Sequence, residues 1–201
     1  MKKIILASYF LFLTFFTLFS YLFVDQNLIY LNKIYSGLAF SNRLAVTISY
    51  SLFIFGLFGF YIYFLKMFRE KKLDLKHFKQ ILFGTVLILL FSYPAMLSYD
   101  IFNYTTTAKV LFGYFENPYL VMPIEFPGET FLNYTHAANK IALYGPVWIL
   151  ITGLPFLLGF ENFILTLFNF KLVAIAFYLG ISFLILRITK DQQNVAFFAL
   201  N

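Results

Sequence analysis

The stretch that decides the class of fold is IILASYFLFLTFFTLFSYLFV, residues 4–24, which contains no charged side chain. At a rise of about 1.5 Å per residue, an α-helix of this length crosses a hydrocarbon core of about 30 Å. The run is longer than the apolar core of a signal peptide, and no small-residue cleavage site follows it. It therefore predicts a retained transmembrane helix.

The rest of the chain has the same apolar character. Of its 201 residues, 61% are hydrophobic and 12% are charged, whereas a soluble domain has about 25% charged residues. The chain has no cysteine, which excludes disulfide bonds, thiolate metal sites and cysteine nucleophiles. The composition predicts an all-α, polytopic transmembrane protein.

Further apolar runs follow the first one along the chain. They cover residues 44–67, 81–97, 146–160 and 163–188, and another run begins near residue 195. The run 146–160 is short and contains Gly153 and Pro155, which predicts a kink or a tilt. The sequence stops before this last run is long enough to span a membrane. Residues 1–201 are therefore expected to form a single transmembrane domain in the N-terminal part of a longer chain.

Basic residues concentrate in one short loop between two of these runs. The chain has a net charge of +6 and 15 basic residues, and six of them lie between Lys66 and Lys79. The positive-inside rule then predicts a cytoplasmic N-terminus, a cytoplasmic 66–79 loop and an external 98–143 segment, in the plasma membrane. Arg187 and Lys190 fall on the external side in this scheme. The basic loop fits anionic lipid head groups better than nucleic acid.

The external segment begins with SYDIFNYTTTAKVLFGYFENPYL, residues 98–120. Its spacing predicts a surface helix over residues 100–112, stopped by Gly113. The predicted apolar face holds Ile101, Tyr104, Ala108 and Leu111, and the polar face holds Asp100, Asn103 and Thr107. A second short helix is predicted over residues 133–143.

Asp100 lies at the start of the first surface helix and has two interpretations. Its carboxylate can cap the helix by accepting a hydrogen bond from a backbone amide, which is the commonest task of Asp at that position. It can also stand at the mouth of a membrane cavity as a reactive group. The two interpretations are compatible.

A set of residues in this segment matches a known pattern. In order, these are Ser98, Asp100, Tyr104, Lys109, Gly113, Asn117, Pro118, Tyr119 and Pro123, followed by Tyr144, Gly145, Pro146, Val147 and Trp148. The order and spacing resemble the first external loop of the integral-membrane glycosyltransferase C superfamily. The likeness is greatest to alpha-1,6-mannosyltransferases that depend on polyprenol-phosphate mannose.

The resemblance implies an enzyme that moves a hexose, expected to be mannose, from a polyprenyl-phosphate donor to an acceptor hydroxyl with inversion. The partners implied are a lipid-linked sugar donor, a glycan or lipid acceptor of the cell envelope, and membrane lipids. Asp100 is implied as the general base, because the attacking hydroxyl must lose a proton. Some members of the superfamily use a divalent metal ion, but no ligand cluster in this sequence requires one, and no cofactor is expected beyond the donor.

Further residues are candidates to bind the substrate. Lys109, His136 and Lys140 can neutralise the phosphate, although such side chains more often meet water or lipid head groups. Lys171 lies inside an apolar run, where it either contacts the phosphate or extends to the membrane surface. Tyr104 is either a substrate contact or an interfacial anchor.

Two short motifs are expected to be architectural rather than reactive. Asn117, Pro118 and Tyr119 predict a turn, since proline disfavours helix at the preceding residue. Tyr144, Gly145 and Pro146 close the segment, and Pro146 suits the first turn of the next helix.

Two other functions compete with the enzyme. A transporter or flippase for lipid-linked saccharides would share the apolar helices, but it is expected to show broken helices and midplane charges in repeated halves. The second alternative is a scaffold subunit without an active site, but that function would not explain the polar external segment.

Overall fold

The computed structural model describes residues 2–24 and 42–200. Within these residues the chain forms seven α-helices and no β-strand, which confirms the predicted all-α fold. The α-helices are α1 (Lys2–Ser20), α2 (Arg43–Arg69), α3 (Leu75–Leu90), α4 (Asp100–Phe112), α5 (Pro146–Leu157), α6 (Phe163–Thr189) and α7 (Gln192–Ala199). Short 3-10 helices cover Tyr21–Phe23, Pro123–Glu125 and Thr130–Tyr134.

Among the described residues, three helices are long and apolar enough to cross a membrane. They are α1 with its 3-10 extension, α2 and α6, and the last two have 27 residues each. In contrast, α5 has 12 residues, a length of about 18 Å against a hydrocarbon core of about 30 Å. The short run 146–160 therefore forms an apolar helix that falls well short of a span.

The third apolar run is helical over different bounds from those predicted. Helix α3 begins at Leu75, because the Asp74 carboxylate accepts a hydrogen bond from the His77 amide at 2.9 Å and caps the helix. It ends at Leu90, ahead of Pro94, whose ring disfavours helix at the preceding residue. The helix is therefore shifted towards the N-terminus relative to residues 81–97.

The chain divides into two compact units. The first comprises the described parts of residues 1–22, 37–92 and 174–201. In this unit α1 and α2 are antiparallel, since Phe12 packs on Phe60 with ring centroids 5.7 Å apart and Phe19 packs on Phe53 at 5.1 Å. Helix α3 runs parallel to α1, and the Tyr9 hydroxyl is 2.7 Å from the Thr85 hydroxyl.

One end of the first unit collects the basic residues. Gln193 at the start of α7 lines the same groove as Lys66 and Arg69 at the end of α2, and the α6–α7 junction adjoins Gln193. That Arg187 and Lys190 lie across the membrane from the 66–79 loop stays a prediction.

The second unit comprises residues 93–173 with the described part of 23–36. Here α4 packs against α5, and the helices approach closely because Gly153 has no side chain: an added Cβ would lie 2.5 Å from the Phe112 ring. Helix α5 is joined to α6 by a hydrogen bond from the Asn169 amide to the Pro155 carbonyl at 3.3 Å.

The start of α6 lies against the segment that precedes α5. The Phe163 ring stacks on Tyr134 with centroids 4.3 Å apart and contacts Phe131 at 5.1 Å and Phe102 at 5.8 Å. Helix α6 therefore begins beside the 98–143 segment.

Helix α4 has the bounds that the sequence predicts, and Gly113 ends it. Of its predicted polar face, Asp100 is exposed, Asn103 is half-buried and Thr107 is buried. Thr105 and Thr106 are buried as well, and the Thr105 hydroxyl donates to the Phe102 carbonyl at 2.7 Å, so a threonine can be buried without losing its hydrogen bond. Helix α4 is thus packed within the second unit, with Asp100 exposed in its first turn.

The second predicted surface helix, residues 133–143, is not formed. The chain makes the 3-10 helix Thr130–Tyr134 and then turns. The backbone groups that a helix would pair internally are used elsewhere: the Ala137 amide donates to Asn103 Oδ1 at 3.2 Å, and the Ala142 amide donates to the Pro118 carbonyl at 2.7 Å. These tertiary hydrogen bonds replace the helical ones.

Candidate functional site

Asp100 is the first residue of α4, and Tyr99 occupies the N-cap without a side-chain hydrogen bond to the helix. The capping interpretation of Asp100 is therefore wrong. The Asp100 amide donates to Ser98 Oγ at 3.2 Å, and the Asp100 residue is exposed. A carboxylate in the first helical turn is stabilised by the helix dipole.

The Tyr144 side chain interacts with two polar side chains at the start of α4, Asp100 and Asn103. Burial raises the pKa of Tyr144 above its ordinary value of 10.0, the hydrogen bond with Asn103 opposes that rise, and the negative charge of Asp100 adds to it. The hydroxyl therefore stays protonated at neutral pH.

Tyr104 is the centre of an aromatic cluster one turn further along α4. Its ring meets Tyr144 edge-on with centroids 4.7 Å apart and Trp148 edge-on at 5.2 Å, while Phe170 lies at 6.3 Å. Burial, and then the charge of Asp100, raise the pKa of Tyr104 above 10.0. The cluster places a half-buried apolar surface with two tyrosine hydroxyls beside a carboxylate.

The sequence-based list of site residues omitted Trp148 and Asn103. Trp148 is the single tryptophan of the chain and follows Tyr144 by four residues, so its place in the motif was a sufficient signal. The role of Asn103 depends on the path of the segment back to α4, which no local pattern contains.

The two motifs predicted to be architectural contact each other. The Tyr119 hydroxyl donates to the Tyr144 carbonyl at 2.6 Å, and Asn117 Oδ1 accepts from the Tyr119 amide at 3.0 Å. Pro118 is buried, and Pro146 occupies the first position of α5 after Gly145. The turn at residues 117–119 thus holds Tyr144 in position.

His136 and Lys140 lie on the segment that returns towards Tyr144. The His136 ring is 4.2 Å from the Tyr99 ring, next to Asp100. Lys140 lines a narrow cleft with Asn103, Thr106 and Tyr144, of about 10 Å³, which is room for about one water molecule. The cleft is too small for a sugar ring.

Lys109 lies at the opposite end of α4 from Asp100, about 13 Å away along the helix axis. Its ammonium group is 2.7 Å from a Glu129 carboxylate oxygen, and both side chains are buried, with 12% and 7% exposed. The same carboxylate accepts a hydrogen bond from the Tyr114 hydroxyl, and the ammonium group is 4.5 Å from the centre of the Phe131 ring. Lys109 is thus engaged in an ion pair remote from Asp100.

Glu129 is a further residue that the sequence-based list omitted. Its Oε1 atom accepts from the Phe131 amide at 2.9 Å, so one carboxylate both caps the 3-10 helix and binds Lys109. Burial by itself raises the pKa of Glu129, but hydrogen bonds from Lys109 and Tyr114 outweigh it, so the pKa lies below the ordinary 4.5. The carboxylate is ionised at neutral pH.

Lys171 lies in α6, directly after Phe170 of the aromatic cluster, and is half-buried. Asp100, Tyr104 and Tyr144 form one group, with His136 and Lys140 on the adjoining segment. Among the residues that the structure describes, no group of three or more His, Cys, Asp or Glu side chains is placed to hold a metal ion.

The apolar helices of spanning length define a polytopic membrane protein. The Asp100 carboxylate beside Tyr104 and Tyr144, at the start of α4, gives it a candidate polar site. The family model alpha-(1->6)-mannopyranosyltransferase, N-terminal domain, matches residues 12–200. The chain belongs to this family, which confirms the predicted resemblance and makes it a glycosyltransferase of the mannosyltransferase type, with a sugar donor and an acceptor. Neither the comparison with curated proteins nor that with solved structures gave a match.

Proposed function

We propose that this protein transfers mannose from a polyprenyl-phosphate donor to an acceptor hydroxyl of a cell-envelope glycan or lipid, with inversion at the anomeric carbon. The observation that carries the proposal is the exposed Asp100 carboxylate at the start of α4, beside the cluster in which Tyr104 packs on Tyr144 and Trp148. Membership of the mannosyltransferase family supports the sugar. The apolar helices support a donor that resides in the membrane.

The chemistry needs one carboxylate. The oxygen of the acceptor hydroxyl attacks the anomeric carbon, and Asp100 takes the proton of that hydroxyl. The bond from the anomeric carbon to the phosphate oxygen breaks at the same time. The lipid phosphate leaves as a stable anion and needs positive charge more than a proton. A single general base is worth roughly 10²–10⁴ in rate, and paired carboxylates are needed only where an alcohol must leave.

The aromatic cluster supplies the surface for the sugar in this proposal. Trp148 and Tyr104 offer apolar ring faces to the C–H groups of a hexose, and the Tyr104 and Tyr144 hydroxyls stay protonated and can donate hydrogen bonds. The Tyr144 hydroxyl also orients the Asp100 carboxylate. Restricting the base in this way lowers the entropy lost on reaching the reactive geometry.

The phosphate of the donor requires a cation near the cluster. His136, Lys140 and Lys171 are the proposed partners, because His136 and Lys140 lie on the segment that contacts α4 and Lys171 follows Phe170. Lys109 is a weaker candidate than its sequence position predicts, since its ammonium group is paired with Glu129 at 2.7 Å.

The orientation in the plasma membrane follows from charge. The basic end of the first unit, with the N-terminus and the 66–79 loop, is proposed to face the cytoplasm by the positive-inside rule. The segment 98–143 and Asp100 then face the external side, where a lipid-linked donor delivers sugar to the envelope.

The test is sugar transfer in membranes that contain the complete protein. Radiolabelled polyprenyl-phosphate mannose is added, and transfer by the wild type is compared with transfer by Asp100→Asn at equal expression. The variant is expected to lose transfer by about 10²-fold or more, because the amide cannot take the proton.

The matched control is Glu116→Gln, which makes the same carboxylate-to-amide change at an exposed residue beyond α4. It is expected to transfer like the wild type. Equal transfer by Asp100→Asn and wild type would overturn the role of Asp100, and a wild type active with nucleotide-linked mannose instead would overturn the lipid-linked donor.

A further inference from the structure

A groove in the first unit lies far along the chain from the proposed catalytic residues. It is formed by the end of α2 and the start of α7 and has a volume of about 270 Å³. Its residues fall into an apolar part and a polar part: Leu65, Phe68 and Phe197, and Lys66, Arg69 and Gln193. The proposed glycosyl transfer at Asp100 does not involve this groove.

The polar part of the groove carries two cations, Lys66 and Arg69. Lys66 and Arg69 lie one helical turn apart and are exposed. The nearby Glu70 carboxylate is 2.6 Å from Lys72, and Asp191 accepts a hydrogen bond from the Gln193 amide at 2.9 Å. The Glu70 ion pair is therefore with Lys72, although the charge of Lys66 also lowers the pKa of Glu70.

The apolar part continues from these cations along α2 and the eight-residue helix α7. The Phe197 side chain is 55% exposed, while Phe68 is buried and packs on Phe78 with ring centroids 5.6 Å apart. Helix α7 is fixed against α2 by a hydrogen bond from the Tyr61 hydroxyl to the Phe197 carbonyl at 3.3 Å. The groove is thus a formed feature with cations at one end and an aromatic wall.

This combination selects an amphipathic anion. Basic pockets between membrane helices bind phospholipid head groups, and an Arg guanidinium suits the geometry of a phosphate. The volume lies just below the ~300–1,000 Å³ of small-molecule pockets, which suits a head group with the start of its acyl chains.

We propose that this groove is a binding site for one anionic phospholipid, with its phosphate between Lys66 and Arg69 and an acyl chain against Leu65 and Phe197. The side-chain amide of Gln193 supplies a further hydrogen-bond donor to the head group. The site is independent of glycosyl transfer, so failure of either proposal leaves the other standing.

The test is native mass spectrometry of the complete protein purified in a mild detergent. Phosphatidylglycerol or phosphatidylcholine is added, and the fraction of protein carrying one lipid is measured. The wild type is expected to retain phosphatidylglycerol in preference to phosphatidylcholine. The double variant Lys66→Gln with Arg69→Gln is expected to lose this binding by about tenfold or more, since two cations near the phosphate are removed.

The matched control is Lys76→Gln with Lys79→Gln. It removes the same charge at the same spacing from exposed positions of α3 outside the groove, and it is expected to bind phosphatidylglycerol like the wild type. The swap Lys66→Arg with Arg69→Lys keeps both charges and is expected to retain binding, which separates lost charge from misfolding.

Three results would overturn the proposal. An equal loss in the groove and control variants would show that binding follows overall surface charge. Equal retention of phosphatidylcholine and phosphatidylglycerol would show that the groove does not distinguish an anionic head group from a zwitterionic one. Displacement of the lipid by inorganic phosphate at matched concentration would assign the groove to a free anion.

Discussion

At the scale of single residues, the Tyr144 hydroxyl links the candidate base to the helix that carries it. Tyr144→Phe removes the hydroxyl that we propose as a hydrogen-bond donor to Asp100 and keeps the ring that packs on Tyr104. A hydrogen bond to a charged group is worth about 1.5–3 kcal/mol. We expect mannosyl transfer to fall by roughly tenfold to a hundredfold, measured as kcat/KM at equal expression.

The control for this prediction is the unfolding midpoint of the same variant. Because the ring and its contacts remain, the midpoint in detergent is expected to stay within about 2 °C of the wild type. Unchanged kcat/KM in Tyr144→Phe would contradict the positioning role. A large fall in the midpoint would show that the hydroxyl acts on stability instead.

The Lys109–Glu129 pair makes a separate prediction about stability. Glu129→Gln leaves the Lys109 ammonium group buried without its carboxylate partner, a change that typically costs about 3–5 kcal/mol. We expect a clearly lower thermal unfolding midpoint in detergent. Glu116→Gln, at an exposed position of the same segment, is expected to unfold like the wild type.

The pH dependence of the same pair has a defined sign. The pKa of Glu129 in the folded protein lies below its ordinary 4.5, so its contribution to stability is present above that value and is lost as pH falls through the folded pKa. The stability advantage of the wild type over Glu129→Gln should therefore be full near neutral pH and shrink in acid. An advantage that is constant from neutral pH into acid would contradict the ionised pair.

The sequence predicts part of this site and not the rest, for a physical reason. Asp100, Tyr104 and Lys109 lie on one helix whose period is visible in the sequence, so their spacing along α4 could be predicted. The partner of Lys109 could not, because Glu129 follows it by 20 residues across irregular chain. Only the fold of that segment selects Glu129 over Glu116 or Glu125.

At the scale of helices, the contact between α4 and α5 depends on Gly153. In Gly153→Ala the new Cβ would lie 2.5 Å and 2.6 Å from two atoms of the Phe112 ring, so the ring or the helices must move. Overpacking of this kind costs about 1–3 kcal/mol. We expect a lower unfolding midpoint, with some loss of transfer because α5 carries Trp148.

The control for Gly153 is Gly145→Ala at the N-cap of α5. Its Cβ would meet no atom within 4 Å, and its φ of −64° is one that alanine adopts readily. We expect wild-type stability from Gly145→Ala. Equal stability of both variants would mean that the two helices adapt to the extra methyl group.

Helix positions follow from the sequence where the signals are local. The start of α3 at the Asp74 cap and the end of α4 at Gly113 each depend on residues within one turn. Residues 133–143 also have helix-forming residues, yet they form turns because Asn103 and Pro118 bind their backbone groups. Tertiary hydrogen bonds of this kind have no local signature.

At the scale of the whole molecule, the number of membrane crossings depends on α5. Helix α3 has 16 residues and α5 has 12, and both are shorter than the three helices of spanning length. Arg187 lies on the side of the 66–79 loop if α6 and just one of α3 and α5 cross, and on the opposite side if both or neither cross. We expect α3 to cross and α5 not to, because α3 is the longer of the two.

Single-cysteine labelling tests this arrangement cleanly, because the natural chain has no cysteine. Lys76→Cys, Arg187→Cys and Asn133→Cys each place one thiol at an exposed residue. In sealed membrane vesicles, a membrane-impermeant maleimide is expected to label Lys76→Cys and Arg187→Cys from the same side and Asn133→Cys from the other. Permeabilised vesicles, in which all three should react, control for buried thiols. Labelling of Arg187→Cys together with Asn133→Cys would mean that α5 crosses the membrane after all. That result would place Lys66 and Arg187 on opposite faces of the membrane. The end of α2 and the start of α7, which together form the proposed lipid groove, would then be separated.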